Sequence, residues 1–322
     1  MSAGTTHGAH ENGTREQGSY GLLIGGEWRE SASGARHEVR SPYDARTVGE
    51  VAVATEADVD AAISAAERGA ATWRRTPAHE RAAILFRAAE LADARAEQLA
   101  ATISAENGKP LAEALGEARR SGAIIRLSTQ EGTQLYGDSL PLDANPGTGQ
   151  DKVGFTLRQP VGIVVAITPF NYPALLVLHK VGPALASGNA VILKPAGATP
   201  LTALALAAIF VEAGLPEGVL SVLTGSGGTI GDALVRDPRV RKISFTGSTA
   251  VGERISSLAG VKKLSLELGA SSPTLILPGA DIAKAAAAVA LGGYVNGGQV
   301  CISVQRVVVH RDGEADLLAA IT

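Results

Sequence analysis

Between residues 55 and 137, apolar residues recur at the three- and four-residue spacing of amphipathic helices. One buried face is outlined by Val59, Ile63, Ala66 and Trp73. A helix with such a face must pack against a second layer. This part of the chain is therefore predicted to form a layer of α-helices.

After residue 161 the pattern changes to short, continuously apolar segments that alternate with helical ones. The strand-like segments are VGIVVAI from Val161, AVILK from Ala190, VLSVLTG from Val219 and KISFTG from Lys242. Continuously apolar strands separated by helices predict a parallel sheet that is covered on both faces. The predicted fold class is α/β, with a doubly wound parallel sheet.

Changes in pattern along the chain also predict its domains. Residues 19–137 and 161–270 are assigned to one domain, which a bridging or oligomerisation hairpin at 138–160 interrupts, since that segment combines Pro and Gly with an alternating apolar stretch. The strand and helix patterns of 271–322 predict the start of a second α/β domain, expected to be incomplete because the chain stops inside a helical pattern. Residues 1–18 are small, polar and charged, which predicts a disordered tail without a signal peptide.

Composition excludes several classes of partner. The net charge is −3, from 29 Lys and Arg against 32 Asp and Glu, and no basic stripe is present, so no nucleic acid partner is expected. No apolar run is long enough to span a membrane, and a cytoplasmic location is expected. The single cysteine excludes an internal disulfide and fits a reducing compartment. The six histidines occur singly, so no bound metal is expected.

Polar residues directly after the predicted strands carry most of the chemical information, because ligands of open α/β sheets bind outside the carboxyl ends of the strands. Four such places are Asn171, Lys194, the segment Gly247–Gly252 and Glu267. The GSTAVG segment could direct backbone N–H groups at a pyrophosphate. A glycine-containing turn without a ligand is an equal alternative, since Thr249 replaces the middle glycine of the usual dinucleotide motif.

Three of the candidate residues each allow two interpretations. Lys194 is either a surface lysine or a buried charge that needs a counter-charge or a hydroxyl-rich ligand. Glu267 is either an exposed glutamate on an edge strand or a buried base with a raised pKa. Cys301 is either an inert core residue or a nucleophile, and Gly297 and Gly298 favour the nucleophile because they allow a backbone path that presents an N–H beside the sulfur.

Five motifs together resemble the aldehyde dehydrogenase superfamily in both order and approximate spacing. They are TPFNYP (Thr168 to Pro173), ILKPA (Ile192 to Ala196), FTGST (Phe245 to Thr249), LELG (Leu266 to Gly269) and GQVCIS (Gly298 to Ser303). IGGEW, SPYD and ENGKP resemble the family's opening segments, so the resemblance extends from about Tyr20 to the end of the chain. It implies oxidation of an aldehyde to a carboxylic acid with NAD(P)+.

The resemblance also implies a role for each matching residue. Cys301 matches the nucleophile that adds to the aldehyde, and Asn171 matches the donor that holds the oxyanion together with the Cys301 N–H. Glu267 matches the base that activates water to hydrolyse the thioester. Lys194 matches a contact to the adenosine ribose, and Ser248 a contact to the pyrophosphate. The remaining implied cofactor contacts are Thr168, Pro169, Phe170, Pro195, Gly247, Val251, Gly252 and Leu268.

The cofactor and the substrate are less sharply defined. Members of the family that prefer NAD often carry an acidic residue three positions after the lysine, where this chain has Gly197. The cofactor is thus NAD or NADP, with a slight lean to NADP, although a glycine supplies no positive partner for the 2′-phosphate. The segments HKVGPALASGN and GQVCISVQR are similar to the branch that oxidises small polar aldehydes such as lactaldehyde or succinate semialdehyde.

Length is the largest departure from the family pattern. Members usually continue into the rest of the catalytic domain, a second glutamate and a C-terminal strand used in oligomerisation, and a full-length parent is expected to be a homodimer or homotetramer. The 322-residue chain is therefore expected to have little or no dehydrogenase activity by itself. Two alternatives are an inactive fragment that retains cofactor binding or subunit association, and a CoA-acylating aldehyde dehydrogenase. The presence of Glu267 argues against the second alternative.

Overall fold

The structure is a computed structural model that describes residues 18–322. All but the last residue of the predicted tail at 1–18 lies outside this range. Within it, no helix combines the length and the hydropathy needed to cross a membrane. The chain divides into two compact units: unit 1 comprises the residues up to Phe245 together with Ile255–Ser265, and unit 2 comprises Thr246–Arg254 and Leu266–Thr322.

Unit 1 begins with five short strands that the sequence pattern did not predict. They are β1 (Ser19–Tyr20), β2 (Leu22–Ile24), β3 (Glu27–Arg29), β4 (Arg36–Arg40) and β5 (Thr47–Ala52). Strands β1, β5 and β4 form a three-stranded sheet, in which β5 is parallel to β1 and antiparallel to β4. Most of these strands are too short to show a recognisable alternation of apolar and polar residues.

The predicted layer of helices is confirmed by five helices. They are α1 (Glu56–Trp73), α2 (Ala78–Ala94), α3 (Ala96–Asn107), α4 (Leu111–Ala118) and α5 (Ser121–Gly132). Helix α1 starts with a capping box in which Thr55 and Asp58 bond to each other's backbone N–H. Its last residue, Trp73, is fully buried and donates its indole N–H to the Leu185 carbonyl at 2.8 Å, which fixes the end of the helix in the core.

The segment predicted to form a hairpin contains one short antiparallel pair. Strand β6 (Ser139–Leu140) pairs with β7 (Gly154–Phe155). Large apolar side chains of this segment, including Val153 and Leu157, are exposed. Its bridging or oligomerisation role stays a prediction.

Residues 163–267 form the alternating strands and helices that the sequence predicted. They are β8 (Ile163–Ile167), α6 (Leu175–Ala186), β9 (Ala190–Lys194), α7 (Leu201–Glu212), β10 (Leu220–Val222), α8 (Asp232–Arg236), β11 (Val240–Thr246), α9 (Thr249–Ala259) and β12 (Lys263–Glu267). Strands β11, β8, β9 and β10 are parallel neighbours, and every residue of β9 is buried, as expected for a strand covered on both faces. The α/β prediction is confirmed with one difference. Strands β2 and β3 add an antiparallel edge, giving the order β12-β11-β8-β9-β10-β2-β3.

The strand order contains a reversal beside β8. The chain passes from β8 to β9 and β10 in one direction, whereas β11 lies on the opposite side of β8. In open α/β sheets, ligands bind outside the carboxyl ends of the strands at such a reversal. A ligand-binding site is therefore expected at the residues that follow β8, β9 and β11.

Unit 2 contains the remaining elements of the chain. They are β13 (Pro273–Ile276), α10 (Ile282–Tyr294), β14 (Arg306–Val309) and α11 (Glu314–Ile321). Strands β13 and β14 form a parallel pair, and α10 packs on α11. A small core is built around Ile276, Ala286 and Leu317. That this unit begins a larger catalytic domain stays a prediction.

Candidate active site

In unit 1 the structure brings the segment after β8 beside the end of β9. The parallel register places Ile167 opposite Lys194, and the Thr168 N–H donates to the Lys194 carbonyl at 3.2 Å. Thr168 and Lys194 are buried, whereas Phe170 is exposed. Two of the predicted contact regions therefore lie side by side at the carboxyl ends of neighbouring strands.

The backbone around Asn171 is held by side chains from three directions. The Phe170 carbonyl accepts hydrogen bonds from the Asn107 side-chain amide at 2.9 Å and from the Thr199 hydroxyl at 3.3 Å. The Asn171 carbonyl accepts one from Lys109 Nζ at 3.0 Å. These bonds fix the position of the backbone from which the Asn171 side chain extends.

Lys109 belongs to a buried ion pair that also starts helix α6. Its Nζ lies 2.6 Å from Glu117 Oε2, and the two side chains are 1% and 0% exposed. The same Nζ lies 3.7 Å from the centre of the Tyr172 ring. Glu117 Oε1 accepts the N–H groups of Ala174 and Leu175 at 2.9 and 3.2 Å. One carboxylate thus neutralises the lysine and caps the positive end of α6.

Glu106 caps helix α7 in the same way. It is buried and accepts the N–H groups of Leu201 and Thr202 at 2.7 and 2.9 Å. Burial raises the pKa of this carboxyl to about 7 despite these hydrogen bonds. The sequence alone identifies ENGKP only as a segment similar to the family. The available signal was helical spacing, since Glu106 follows Leu99 and Ile103 on the buried face of α3.

Lys194 is buried, and the surface-lysine interpretation is wrong. The residue is 6% exposed, and its Nζ donates to the Pro195 carbonyl at 3.2 Å. Among residues 18–322 no carboxylate pairs with it. Burial lowers its pKa, because desolvation disfavours the ammonium form. An ammonium group carries three donors, so this arrangement fits the second interpretation, a lysine that binds a hydroxyl-rich ligand.

A cavity of about 350 Å³ lies next to the end of β9 in unit 1. Gly197 lines it and leaves open space, since a Cβ at this position would have no neighbour within 4 Å. No carboxylate lines the cavity. Its size, its apolar walls and the neighbouring Lys194 fit the adenosine part of a dinucleotide. Residues that contribute to the lining include Pro195, Ala196, Pro200, Thr224 and Ser226.

In unit 2 the glycines of GSTAVG have partners within the protein. The Gly247 N–H donates to the Glu267 carbonyl at 3.0 Å, so it is already engaged. A Cβ added to Gly252 would lie 2.4 Å from Leu268 Cδ2. This glycine is therefore needed for close packing of α9 against the residues that follow β12.

Ser248 lies at the start of α9. Its hydroxyl accepts the Val251 N–H at 3.4 Å, a long capping bond, and both residues are exposed. A serine hydroxyl in this position caps the helix and also keeps a donor for a ligand. The pyrophosphate contact implied by the family stays a prediction.

Cys301 is exposed, and the core-residue interpretation is wrong. Three consecutive residues before it, Asn296, Gly297 and Gly298, have φ of 52°, 63° and 78°, in the left-handed region. This path is the one that the glycines were expected to allow. Ser272 Oγ donates to the Cys301 carbonyl at 3.2 Å, whereas the Cys301 N–H donates to no acceptor within the described chain. That N–H is available to an oxyanion.

Glu267 is the last residue of β12, which forms one edge of the seven-stranded sheet. It is exposed, which agrees with the edge-strand interpretation. Glu267 and Cys301 lie in unit 2, whereas Asn171 lies in unit 1. Their joint participation in one site stays a prediction.

A parallel α/β sheet, a buried lysine at a strand end and an apolar cavity beside it are features of a dinucleotide-binding protein. The aldehyde dehydrogenase family model matches residues 28–322, and the chain belongs to this family.

Individual relatives agree with the family assignment. The 3-sulfolactaldehyde dehydrogenase of Priestia aryabhattai is 44% identical over 291 residues, which cover 90% of this chain and 60% of the relative. The NADP(+) succinate-semialdehyde dehydrogenase of Escherichia coli (strain K12) is 40% identical over 299 residues, which cover 92% of this chain and 61% of the relative.

A solved structure matches as well. The NADP-dependent glyceraldehyde-3-phosphate dehydrogenase from Bacillus halodurans C-125, crystallised with NADP, superposes with a TM-score of 0.91 at 36% identity. The match covers 94% of this chain and 63% of that one. The chain thus spans about 60% of the length of the relatives that it matches.

Proposed function

We propose that this protein oxidises an aldehyde to a carboxylic acid with NAD+ or NADP+ as the hydride acceptor. The observation that carries the proposal is Cys301. Its thiol is exposed, its N–H is available, and it lies in the motif of the family nucleophile. Asn171 and Glu267 supply the other two groups that the reaction needs.

In the first step, the Cys301 thiolate adds to the carbonyl carbon of the aldehyde. A C–S bond forms, and the carbonyl π electrons move to oxygen as an oxyanion. The Cys301 N–H and the Asn171 side-chain amide donate hydrogen bonds to this oxygen. The backbone around Asn171 is held in place, so its side-chain amide is already directed before the oxyanion forms. Less rearrangement of the protein is then needed when negative charge develops on the oxygen.

The second step converts the adduct to the acid. When bound, the cofactor would supply a hydride acceptor; loss of hydride from the carbon bonded to Sγ, with re-formation of the C=O bond, would leave a thioester on Cys301. Glu267 removes a proton from a water molecule, which attacks the thioester carbonyl. The C–S bond breaks, the acid leaves, and Cys301 returns to the thiolate.

Several residues are proposed to bind the cofactor. Lys194 Nζ contacts the adenosine ribose hydroxyls, and the hydroxyl of Ser248 contacts the pyrophosphate. The absence of a carboxylate at Gly197 permits NADP and favours it slightly. The remaining proposed contacts are Thr168, Pro169, Phe170, Pro195, Gly247, Val251 and Leu268, whereas the close packing of Gly252 against Leu268 gives that glycine a role in the fold.

The proposed substrate is a small polar aldehyde. The names of two relatives, 3-sulfolactaldehyde dehydrogenase and succinate-semialdehyde dehydrogenase, describe short aldehydes that carry an acidic group. Succinate semialdehyde is therefore a suitable first probe. A homodimer or homotetramer is the proposed assembly.

The test is covalent capture at Cys301. The readout is the mass of the Cys301 peptide after the 322-residue chain is incubated with succinate semialdehyde and NADP+ or NAD+. The expected result is a thioester on Cys301 that forms only when a cofactor is present. Cys301→Ala and Cys301→Ser should show none, and Asn171→Ala should slow its formation by roughly 100-fold, as for loss of an oxyanion donor.

Other outcomes identify the alternatives. Cofactor binding without any thioester in the native chain supports the inactive-fragment alternative. Release of acyl-CoA without free acid when CoA is added supports the CoA-acylating one. An acylated protein in the Cys301→Ala variant would remove Cys301 from the mechanism.

A further inference from the structure

One wall of the cavity beside Gly197 comes from a distant part of the sequence. His37, on strand β4, lines the cavity together with Val51, its register partner on β5. The small N-terminal sheet therefore faces the same space as the end of β9. His37 is separated from Gly197 by 160 positions in the sequence, so no local motif points to the pair.

Few polar side chains line this cavity. The Thr224 hydroxyl donates to the Ala52 carbonyl at 2.5 Å and is engaged. His37 and Ser226 are the polar side chains that remain among the lining residues, and none of the lining residues is acidic. The cavity thus offers an imidazole and a hydroxyl as donors and contains no group that would repel an anion.

The charged residues next to His37 in the sequence are already paired. Arg36 bonds to Glu30 at 2.6 Å and to Glu50 at 2.9 Å, and Glu38 pairs with Arg40. These three carboxylates bond to two arginines, which leaves one negative charge over, and none of the three lines the cavity. The carboxylates therefore leave the imidazole N–H of His37 available to a ligand in the cavity.

We infer that His37, with Ser226, binds the 2′-phosphate of NADP. The inference rests on the proposed function, because it requires that the cavity hold the adenosine part of the cofactor. Gly197 leaves the volume that a phosphate needs, since nothing lies within 4 Å of a Cβ at that position. The imidazole and the hydroxyl then supply the donors that a glycine lacks, and a charge-assisted hydrogen bond to phosphate is stronger than a neutral one.

The experiment measures binding and needs no turnover. The 322-residue chain is titrated calorimetrically with NADP+, NAD+, 2′,5′-ADP and 5′-AMP. The variants are His37→Leu, which removes the donor, and His37→Gln, which keeps one. His79→Leu is the matched control, because His79 is an exposed histidine on α2 that does not line the cavity. Thermal unfolding checks that each variant is folded.

The expected result is selective for the 2′-phosphate. His37→Leu weakens binding of NADP+ and 2′,5′-ADP by about tenfold, the effect of one hydrogen bond to a charged group. It leaves NAD+ and 5′-AMP unchanged. His37→Gln retains part of the NADP+ affinity, and His79→Leu behaves as the native chain.

A second variant tests the location of the ribose. Gly197→Glu introduces a carboxylate into the open space of the same cavity. If the 2′-phosphate lies there, repulsion weakens NADP+ by tenfold or more, while NAD+ keeps its affinity. An NADP+ affinity that Gly197→Glu does not change overturns the inference.

The remaining outcomes separate the two proposals. If NADP+ and NAD+ bind the native chain but His37→Leu weakens both equally or neither, His37 does not read the 2′-phosphate, and the proposed function stands. If neither nucleotide binds the native chain, cofactor binding fails, and both proposals are overturned.

Discussion

Lys194 shows how one residue can be unfavourable for the fold and favourable for binding. Its ammonium group is buried, has a carbonyl as its hydrogen-bond partner and has no carboxylate to neutralise it in the part of the chain that the structure describes. Such a charge loses hydration without a compensating ion pair. A ligand with hydroxyl groups would restore part of what hydration supplied.

Replacing this lysine should therefore separate stability from binding. Lys194→Met is expected to raise the free energy of unfolding of the ligand-free protein by roughly 1 kcal/mol or more, since it removes an unpaired buried charge. The same variant should weaken binding of NAD+ and NADP+. Urea unfolding followed by tryptophan fluorescence measures the first effect, because buried Trp73 reports on unit 1, and calorimetry measures the second.

The gain in stability should also depend on pH. Burial lowers the pKa of Lys194 below 10.5, so the unfolded chain binds more protons than the folded one between the two values. The native protein then becomes more stable as pH rises through that window, and its difference from Lys194→Met shrinks. Lys242→Met, which changes a lysine bonded to Ser265 near the surface, is the control for the loss of a lysine side chain. A variant that is less stable than the native chain at neutral pH would contradict the prediction.

At the scale of elements, pattern predicted the core of the sheet better than its edges. Strands β8 and β9 were predictable because a buried parallel strand is apolar throughout, and the helices of 55–137 because an amphipathic face repeats over many turns. Strands β1 to β5 contain two to six residues and depend on pairing with distant partners. The antiparallel addition of β2 to the sheet could not be read from so short a segment.

The candidate site, like the sheet, was predictable from the sequence only in part. Residues in local motifs, such as Cys301 and Lys194, were identified, and the structure excluded the core interpretation of Cys301 and the surface interpretation of Lys194. The anchors Glu106 and Glu117 were missed because their partners lie 95 and 57 positions away in the sequence. His37 was missed for the same physical reason, since the cavity that it lines forms only when the sheets assemble.

Breaking the ion pair between Lys109 and Glu117 should lower the free energy of unfolding far more than breaking a surface ion pair. Lys109→Met leaves a buried carboxylate without its cation and is expected to lower the free energy of unfolding by about 3 to 5 kcal/mol. The matched control is Arg126→Met, which breaks the exposed pair with Asp93 and should cost less than about 1 kcal/mol. Chemical denaturation of the two variants makes the comparison. Equal losses would show that the buried pair does not anchor α6.

For the whole molecule, the two units differ in how much apolar surface they bury. Unit 1 has an extended core, whereas the core of unit 2 is built around Ile276, Ala286 and Leu317. Many large apolar side chains of unit 2 are exposed. They include Leu275, Leu277, Leu291, Tyr294, Ile302 and Leu318.

This difference predicts unequal local stability. Amide hydrogen exchange should be faster in β13, β14, α10 and α11 than in β8 and β9, because segments with few buried apolar contacts open at a lower free energy. Mass spectrometry of peptides from the 322-residue chain measures the rates. Equal protection in the two units would contradict the prediction and would imply that the exposed side chains of unit 2 are covered in solution.

The carboxylates at the ends of α6 and α7 act as permanent internal ligands. Glu117 and Glu106 accept the N–H groups that begin these helices, so these donors are already engaged. At α9 the capping group is the neutral hydroxyl of Ser248. Of these three helix starts, α6 and α7 are thus occupied by carboxylates of the protein itself, whereas α9 has only a neutral hydroxyl, which leaves it the better place for an anionic ligand.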